Sequence, residues 1–328
     1  MAKLVGSTAV GGTEYLFSLA LAHAALATIT SDDQLHVIDA ASLKTLKTTK
    51  TCHTGVSCLK SGLNSTFVTG GRDGLIRCWD SRAQKVAEVL EPQLRGISSI
   101  ACHDRFIAAG TESTKEGLGD VSVLLFDTRN SSVPLRQYNE SHTDTITQLQ
   151  FHPLQPHILL SGSTDGLVSI FDVNHADEED ALQQVLNPRS AVHCAGFLAQ
   201  DQAYVVSTDE QYSIHTLAKT AAEDEEVPPP ITFGDVREHL DCMYVIDVLV
   251  QPEGPPVMAY GHNEKQTLAI SSLGSPGAWA FGESVTLPGA HGEEVVRDLL
   301  LVGKRAFSCG EDVGLASIDN CSGTRLSA

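Results

Sequence analysis

Basic residues are scarce in this sequence. Its 328 residues include 22 lysines and arginines against 41 aspartates and glutamates, which gives a formal net charge of -19. A field of this sign repels phosphate groups, so the composition argues against nucleic acid or an anionic membrane as a direct partner. A basic protein would be attracted. We therefore expect the partners to be other proteins.

Sequence motifs of catalysis are missing as well. The chain contains no glycine-rich phosphate loop, no GxSxG, no HExxH and no paired CxxC, and Gly303-Lys304 lacks the earlier glycine of a P-loop. Ser, His and Asp are abundant, but their spacing repeats, whereas a catalytic triad would occur once. We predict that the protein is not an enzyme and has no catalytic, cofactor-binding or metal-binding residues.

The eight cysteines show no paired spacing and mostly fall in apolar, strand-like runs. Such cysteines usually behave as small buried hydrophobes of a reducing compartment. We expect no disulfides and an intracellular location, in the nucleus, the cytoplasm or both. The uncharged run from Tyr15 to Ser31 resembles a signal-peptide core. Because Glu14 abuts this run and it ends in Thr28 and Asp32, which fit the repeat described next, we interpret it as two buried strands.

What the sequence does contain is a repeat. Short apolar runs end at Asp39, Asp80, Asp127 and Asp172, in steps of 41, 47 and 45 residues. A period in the forties, with short strands and Asp-Gly turns, indicates a radial array of four-stranded blades. Asp319 lies 147 residues beyond Asp172, which leaves room for three more units. The sequence therefore predicts an all-β, seven-bladed β-propeller that forms a single domain over residues 1–328.

A polar quartet is expected to hold the second unit together. His53 precedes the unit, Thr69 lies on one strand, Asp73 occupies the turn, and Trp79 lies on the next strand. Hydrogen bonds from indole to hydroxyl, from hydroxyl to imidazole and from imidazole to carboxylate would tie these strands together. This chain of bonds assigns the four residues a structural role.

The quartet recurs without its tryptophan. Two later units carry the same spacing, with serine in place of threonine: His142, Ser161 and Asp165, then His291, Ser308 and Asp312. Thr28 and Asp32 of the first unit fit the same register. Ile38, Phe171 and Ile318 stand where Trp79 would be, and they have no N–H to donate. We expect these units to be held mainly by apolar packing.

These residues resemble the WD-repeat family. Trp79-Asp80 is the literal signature dipeptide, and Phe126-Asp127 and Phe171-Asp172 are close variants. The family's ring closure implies that the run from Lys3 to Val10 supplies the fourth strand of the last blade. A narrower resemblance, to the WD repeat-containing protein eighty-nine family, rests on SHTDTITQLQFHP, GSTDGLVSIFDV, EEDAL and GDVRE. Members of that family are known as propellers without an assigned chemical activity.

Candidate partner-binding residues lie in the connections between strands. One acidic cluster consists of Asp177, Glu178, Glu179 and Asp180, and a second runs from residue 223 to 226. Both are expected to follow a third strand and to project from the face opposite the His and Asp turns, either as partner sites or as solvated loops. Asp235, Arg237 and Glu238 precede the sixth blade, where they either bind a partner or form architectural ion pairs.

Two arginines follow the signature strands directly. Trp79-Asp80-Ser81-Arg82, echoed by Phe126-Asp127-Thr128-Arg129, resembles the WDxR box through which some propellers dock on the adaptor of the cullin-four ubiquitin ligase. The planar fork of arginine suits such contacts. Alternatively, Arg82 and Arg129 cap their own blades.

Three functional hypotheses follow. The first is a monomeric, non-catalytic scaffold of intracellular complexes, which recognises other proteins through its loops. The second is a substrate receptor for ubiquitin ligation that binds the ligase adaptor. The third is an acidic escort for a basic client, such as a ribosomal protein or a histone.

Overall fold

Antiparallel strands make up nearly all of the regular structure. The computed structural model describes residues 2–12, 14–82, 85–90, 95–115, 118–130, 133–218, 227–252, 254–288 and 291–319. Its strands pair into seven four-stranded antiparallel sheets, called blades 1 to 7 in chain order, and one two-stranded hairpin. This is the architecture of a seven-bladed β-propeller. The predicted all-β fold is confirmed.

The strands before blade 4 are short, with three to seven residues each. β1 spans Lys3–Ala9, and blade 1 contains β2 (Leu16–Ala22), β3 (Ala25–Thr30), β4 (Leu35–Asp39) and β5 (Thr45–Thr49). Blade 2 contains β6 (Val56–Ser61), β7 (Thr66–Gly71), β8 (Ile76–Asp80) and β9 (Lys85–Leu90). Blade 3 contains β10 (Ile97–His103), β11 (Phe106–Thr111), β12 (Val123–Asp127) and β13 (Arg136–Tyr138).

The later blades have longer connections. Blade 4 contains β14 (Ile146–Phe151), β15 (Ile158–Ser163), β16 (Val168–Asp172) and β17 (Leu182–Leu186), and blade 5 contains β18 (Val192–Ala199), β19 (Gln202–Ser207), β20 (Gln211–Thr216) and β21 (Ile231–Asp235). Blade 6 contains β22 (Tyr244–Leu249), β23 (Val257–His262), β24 (Thr267–Ser272) and β27 (Ser284–Leu287), with the hairpin β25 (Gly274–Ser275) and β26 (Ala278–Trp279) inserted. Blade 7 contains β28 (Val296–Val302), β29 (Arg305–Gly310) and β30 (Gly314–Asp319). The helices among the described residues are a 3-10 turn (Leu63–Ser65), α1 (Glu178–Ala181) and α2 (Val236–Leu240).

The N-terminal strand completes blade 7, as predicted. β1 runs antiparallel to β30, with Lys3 opposite Asp319 and Ala9 opposite Gly314. Exposed and half-buried residues alternate along β1. This is expected of an edge strand that has one face in solvent and the other partly covered. The uncharged run after Glu14 forms β2 and β3, the two buried strands that the sequence predicts. None of the helices in the described part of the chain has the length and apolar character needed to cross a bilayer.

The chain forms two compact units: residues 1–51 with 237–328, which carry blades 1, 6 and 7, and residues 52–236, which carry blades 2 to 5. Within the first unit, Ile38 of blade 1 packs in one apolar cluster with Phe307 and Leu315 of blade 7. Within the second, Leu160 of blade 4 packs in one cluster with Phe197 of blade 5. Burial of these faces is the main favourable term in folding. A single domain over residues 1–328 stays a prediction.

Each first strand carries a β-bulge at the same position, where the pairing register shifts by one residue. In blades 2, 3 and 4 the bulged residue has a hydroxyl: Ser57, Ser98 or Thr147. Each hydroxyl donates a hydrogen bond to a carbonyl oxygen on the first strand of the next blade. The extra residue of a bulge re-aims its side chain. Here it turns the side chain toward the neighbouring blade.

Candidate functional site

The polar quartet of blade 2 forms a continuous chain of hydrogen bonds. Trp79 Nε1 donates to Thr69 Oγ1 at 2.8 Å, and Thr69 Oγ1 lies 2.8 Å from His53 Nε2. His53 Nδ1 lies 2.9 Å from Asp73 Oδ1. Arg77, which sequence reasoning missed, donates to Asp73 Oδ2 at 3.0 Å and also approaches the imidazole. His53 and Thr69 are fully buried, so this chain is part of the interior of the blade.

Blades 4 and 7 repeat the arrangement without the indole. His142 lies 3.1 Å from Asp165 and 2.7 Å from Ser161. In blade 7, His291 lies 2.6 Å from Asp312 and 2.8 Å from Ser308. Phe171 and Ile318, at the tryptophan position, are completely buried.

The first unit keeps the predicted register but not the chain of bonds. Thr28 is the fourth residue of β3, as Thr69 is the fourth residue of β7. The segment before β2 has no histidine to bridge the hydroxyl and the carboxylate, and Asp32 accepts a hydrogen bond from Thr30 at 2.6 Å.

The three turn carboxylates are kept ionised by their partners. Burial of the Asp73 carboxyl would raise its pKa, but hydrogen bonds from His53 and Arg77 outweigh burial and lower the pKa. The same balance, with His142 and His291 as the donors, lowers the pKa of Asp165 and of Asp312. Each of the three imidazoles is bonded through both ring nitrogens. The hydroxyls that they bond, those of Thr69, Ser161 and Ser308, are completely buried, so a substrate could not reach them in this structure.

The two arginines after the signature strands differ in their surroundings. Arg129 follows β12, and its guanidinium binds Asp127 in a fork, with Nε 3.0 Å from Oδ1 and Nη2 2.6 Å from Oδ2. Arg105 also donates to Asp127 at 3.1 Å, and these hydrogen bonds hold the pKa of Asp127 well below its usual value. Arg82 is exposed after β8, and no described residue bonds its guanidinium. Arg129 thus caps its own strand, whereas Arg82 is available.

The four carboxylates of the acidic cluster of blade 4 differ in their exposure and in their hydrogen bonds. Asp177 caps α1 by accepting from the backbone N–H of Glu179, and Asp177, Glu179 and Asp180 are exposed. Glu178 is half-buried and accepts from the backbone N–H groups of three residues that follow blade 3: Asn139, Glu140 and Ser141. The expectation that the whole cluster projects from the surface is therefore wrong for Glu178, because its carboxylate is bound by the preceding connection. The run from residue 223 to 226 lies outside the described residues.

The remaining predicted partner residues lie at the end of blade 5 and directly after it. Asp235 is the last residue of β21, opposite Gln211, and is exposed. Arg237 and Glu238 are exposed residues of α2, a short helix where the sequence predicts only a connection.

The described part of the chain contains neither a disulfide nor a group of residues that could bind a metal ion. All seven described cysteines are free thiols, and Cys102 alone among them is more than marginally accessible. Burial raises the pKa of the Cys58 thiol to about 11, and a thiol of this kind is a poor nucleophile at neutral pH. Among the described residues, no three His, Cys, Asp or Glu side chains are placed to share a metal ion.

A cleft that sequence reasoning missed lies between blades 4 and 5. Its volume is about 620 Å³. One wall is the connection from β14 to β15, which includes Gln155 and His157, and the opposite wall includes Gln200 and Asp201. No single stretch of sequence predicts the cleft, because its lining residues come from five separate segments. The only signal was the FHP tripeptide at residues 151–153, which marks the connection.

Buried His152 fixes the wall of this cleft. Its Nε2 lies 3.0 Å from the carbonyl oxygen of Gln200, and its Nδ1 accepts from the backbone N–H groups of Leu154 and Gln155. The ring also packs edge-on against Phe197, with centroids 4.6 Å apart. These bonds require the neutral tautomer with its proton on Nε2, since a proton on Nδ1 would face two N–H donors.

Acid is expected to destabilise the protein through His152. Burial lowers its pKa from 6.5 in spite of the bond to Gln200. The stabilising contribution of neutral His152 is therefore fully present above pH 6.5 and is lost as the pH falls toward the lowered value, by up to about 1.4 kcal/mol per pH unit. Urea unfolding at a series of pH values from neutral to mildly acidic measures this. His152→Asn keeps an acceptor for the two N–H groups and should flatten the pH dependence; an unchanged slope would contradict the assignment.

Comparison with known proteins agrees with this geometry. The family described as "WD domain, G-beta repeat" matches residues 43–80 and 132–172. An uncharacterized WD repeat-containing protein of Saccharomyces cerevisiae is 31% identical over 321 residues, which cover 94% of this chain and 80% of that protein. A second such protein, from Schizosaccharomyces pombe, is 33% identical over 221 residues, covering 63% of this chain and 66% of the relative.

Two further similarities extend the comparison. The WD repeat-containing protein 89 homolog of Dictyostelium discoideum is 26% identical over 141 residues, 43% of this chain and 36% of the relative. A chain in the crystal structure of the mitotic checkpoint complex superposes with a TM-score of 0.75, covering 96% of this chain and 91% of that chain at 15% identity. That likeness concerns the fold alone. The braced strands, the seven blades and the relative that aligns along nearly the whole sequence together show that the chain belongs to the WD-repeat family.

Proposed function

We propose that the protein is a non-catalytic interaction scaffold of intracellular complexes, located in the nucleus, the cytoplasm or both. The observation that carries this proposal is the shared use of histidine and aspartate in blades 2, 4 and 7. In each blade these side chains bond a buried Ser or Thr, so the groups that could do chemistry hold strands together. Exposed charged residues stand in the connections, where binding residues usually collect on a rigid scaffold.

Isolation of the tagged chain from cells tests the scaffold proposal. The purified chain alone should be a monomer of 35.0 kDa, whereas the chain from cells should elute in a larger assembly with a partner in fixed ratio. A contact centred on apolar residues should survive about 0.5 M salt, because screening weakens only exposed charge pairs. A chain that stays alone in cells, or that turns over a substrate, would contradict the proposal.

A second candidate function, substrate receptor of a cullin-four ubiquitin ligase, is favoured by the state of Arg82. An arginine that docks on the adaptor needs a guanidinium whose N–H groups are free to bond the adaptor. Arg129 would first have to leave Asp127, whereas the guanidinium of Arg82 has no partner among the described residues. In this proposal Arg82 makes the principal contact and Arg129 a secondary one.

Arg82→Ala is therefore expected to weaken adaptor binding about tenfold or more, and Arg129→Ala by a smaller factor. Arg72→Ala is a matched control, because the side chain of Arg72 is 69% exposed and that of Arg129 is 68% exposed. Quantitative co-purification of the adaptor with each variant measures this. If the adaptor remains bound to the Arg82→Ala, Arg129→Ala double variant, the docking proposal is wrong.

An acidic escort for a basic client, such as a ribosomal protein or a histone, is the third candidate. Its support is the exposure of Asp177, Glu179 and Asp180 beside one another at α1. An escort held by exposed charges should release its client as ionic strength rises, and neutralising these three residues should have the same effect. A client that stays bound under both conditions would rule the cluster out as its site.

A further inference from the structure

We propose that the cleft between blades 4 and 5 binds an extended segment of a partner protein in which an aliphatic residue stands beside a lysine or arginine. The inference rests on the scaffold function and deepens it by naming a site and a ligand class. The volume of about 620 Å³ falls in the range of about 300 to 1,000 Å³ that is usual for ligand sites.

The cleft has an apolar part suited to an aliphatic side chain. Ile158, Ile170 and Leu217 contribute to its lining, and Ile170 and Leu217 are buried. Leu154, in the connection that forms one wall, is 69% exposed, the most of the large apolar residues in the described part of the chain. Side chains that enter well-packed pockets from which water is excluded contribute most of the energy of protein contacts.

The polar part of the lining matches a peptide backbone. The side-chain amide of Gln184 already pairs with blade 5 as a peptide group would: its Nε2 donates to the carbonyl oxygen of Thr216 at 3.1 Å, and its Oε1 accepts from the N–H of Ala218 at 2.9 Å. The amides of Gln155 and Gln200 line the same cleft, and no described residue bonds either side chain. They offer donors and acceptors to the backbone of an extended segment.

The acidic residues of the cleft favour a basic ligand. Asp172 and Asp201 line the cleft, and none of the described residues that line it is a lysine or an arginine. Gln183 joins this lining to the acidic cluster, since its Nε2 donates to the carbonyl oxygen of Asp180 at 3.1 Å. A lysine or arginine beside the anchor would meet carboxylates on both blades, and such complementarity fixes orientation as well as partner choice.

Fluorescence anisotropy of the full chain with a labelled octapeptide of alternating leucine and arginine tests the proposal. Ala218→Trp, which fills the cleft, and Asp172→Asn with Asp201→Asn, which removes both carboxylates, should each weaken binding about tenfold or more. The control pair, Glu140→Gln with Glu264→Gln, changes the net charge equally at exposed positions outside the cleft. It should weaken binding less than about twofold.

Methyl resonances of Ile158, Ile170 and Leu217 should shift on addition of the same peptide, and thermal melting checks that each variant is folded. Equal weakening by the cleft pair and the control pair, or shifts confined to other methyl groups, would show attraction to the general negative field and overturn the proposal. Equal binding of a leucine and glutamate octapeptide would also overturn it. If the chain still enters its cellular complex in either case, the scaffold function stands and only the cleft assignment fails.

Discussion

His53→Ala is expected to lower the free energy of unfolding by about 3 to 5 kcal/mol. The imidazole is completely buried and is bonded through both nitrogens, to Asp73 and to Thr69. Removal of the imidazole leaves a cavity. It also leaves the buried Thr69 hydroxyl, which accepts from Trp79, without the nitrogen to which it donates. Both effects act in one blade, and the loss of a buried bonding partner is among the larger effects of single substitutions.

Urea unfolding gives the measurement, with the change read from the midpoint at an unchanged slope. His175→Ala is the control, because the His175 side chain is 51% exposed, and its effect should stay within about 0.5 kcal/mol. A double-mutant cycle of His53→Ala with Thr69→Val should show a coupling of about 1 kcal/mol or more. Additive effects, or a loss no larger than that of the control, would mean that the quartet does not brace the blade.

The bracing of blade 2 was predictable because its information is local. Thr69, Asp73 and Trp79 lie within eleven residues of one another in two adjacent strands and the turn between them. The two-residue periodicity of strands then fixes which side chains share a face. The closure of blade 7 by β1 was implied by the family resemblance, and the pairing of β1 with β30 agrees with it.

The spacing also holds where one member of the quartet is absent. Thr28 occupies the position in β3 that Thr69 occupies in β7. Without a histidine before the unit, Asp32 accepts a hydrogen bond from Thr30, whereas Asp73 is bonded to His53. Spacing therefore predicts where each residue lies in the blade, and the hydrogen bonds depend on the full set of partners.

The cleft between blades 4 and 5 could not be predicted, for a different reason. His152 and Gln200, which meet across it, are 48 residues apart. Their contact depends on how two blades pack, and in the sequence Gln155, Gln183 and Gln200 are indistinguishable from ordinary surface residues. Nor could the sequence separate Arg82 from Arg129, since both follow an aspartate by two residues and the difference lies in the guanidinium of Arg129, which folds back onto Asp127.

Glu178 illustrates the same limit and gives the second large expected effect. In the sequence it is one of four consecutive acidic residues, but in the structure its carboxylate accepts from three backbone N–H groups and from the hydroxyl of Ser141. Hydrogen bonds to charged groups contribute more than neutral ones. Tyr138, which donates to the carbonyl oxygen of His175 at 2.8 Å, ties the same two segments together. The bound Glu178 thus joins α1 of blade 4 to the connection that follows blade 3.

Glu178→Ala is accordingly expected to lower the free energy of unfolding by about 1.5 to 3 kcal/mol, because it removes hydrogen bonds to a charged group and leaves the part-buried N–H and hydroxyl of Ser141 without this acceptor. Glu179→Ala, one residue away and exposed, should change it by less than about 0.5 kcal/mol. Urea unfolding of the two variants separates them, and hydrogen exchange should quicken at the amides of Asn139, Glu140 and Ser141 in the first variant only. Equal stability of the two variants would mean that Glu178 is a solvated charge like its neighbours, and the acidic cluster would then be a uniform surface patch open to a basic partner.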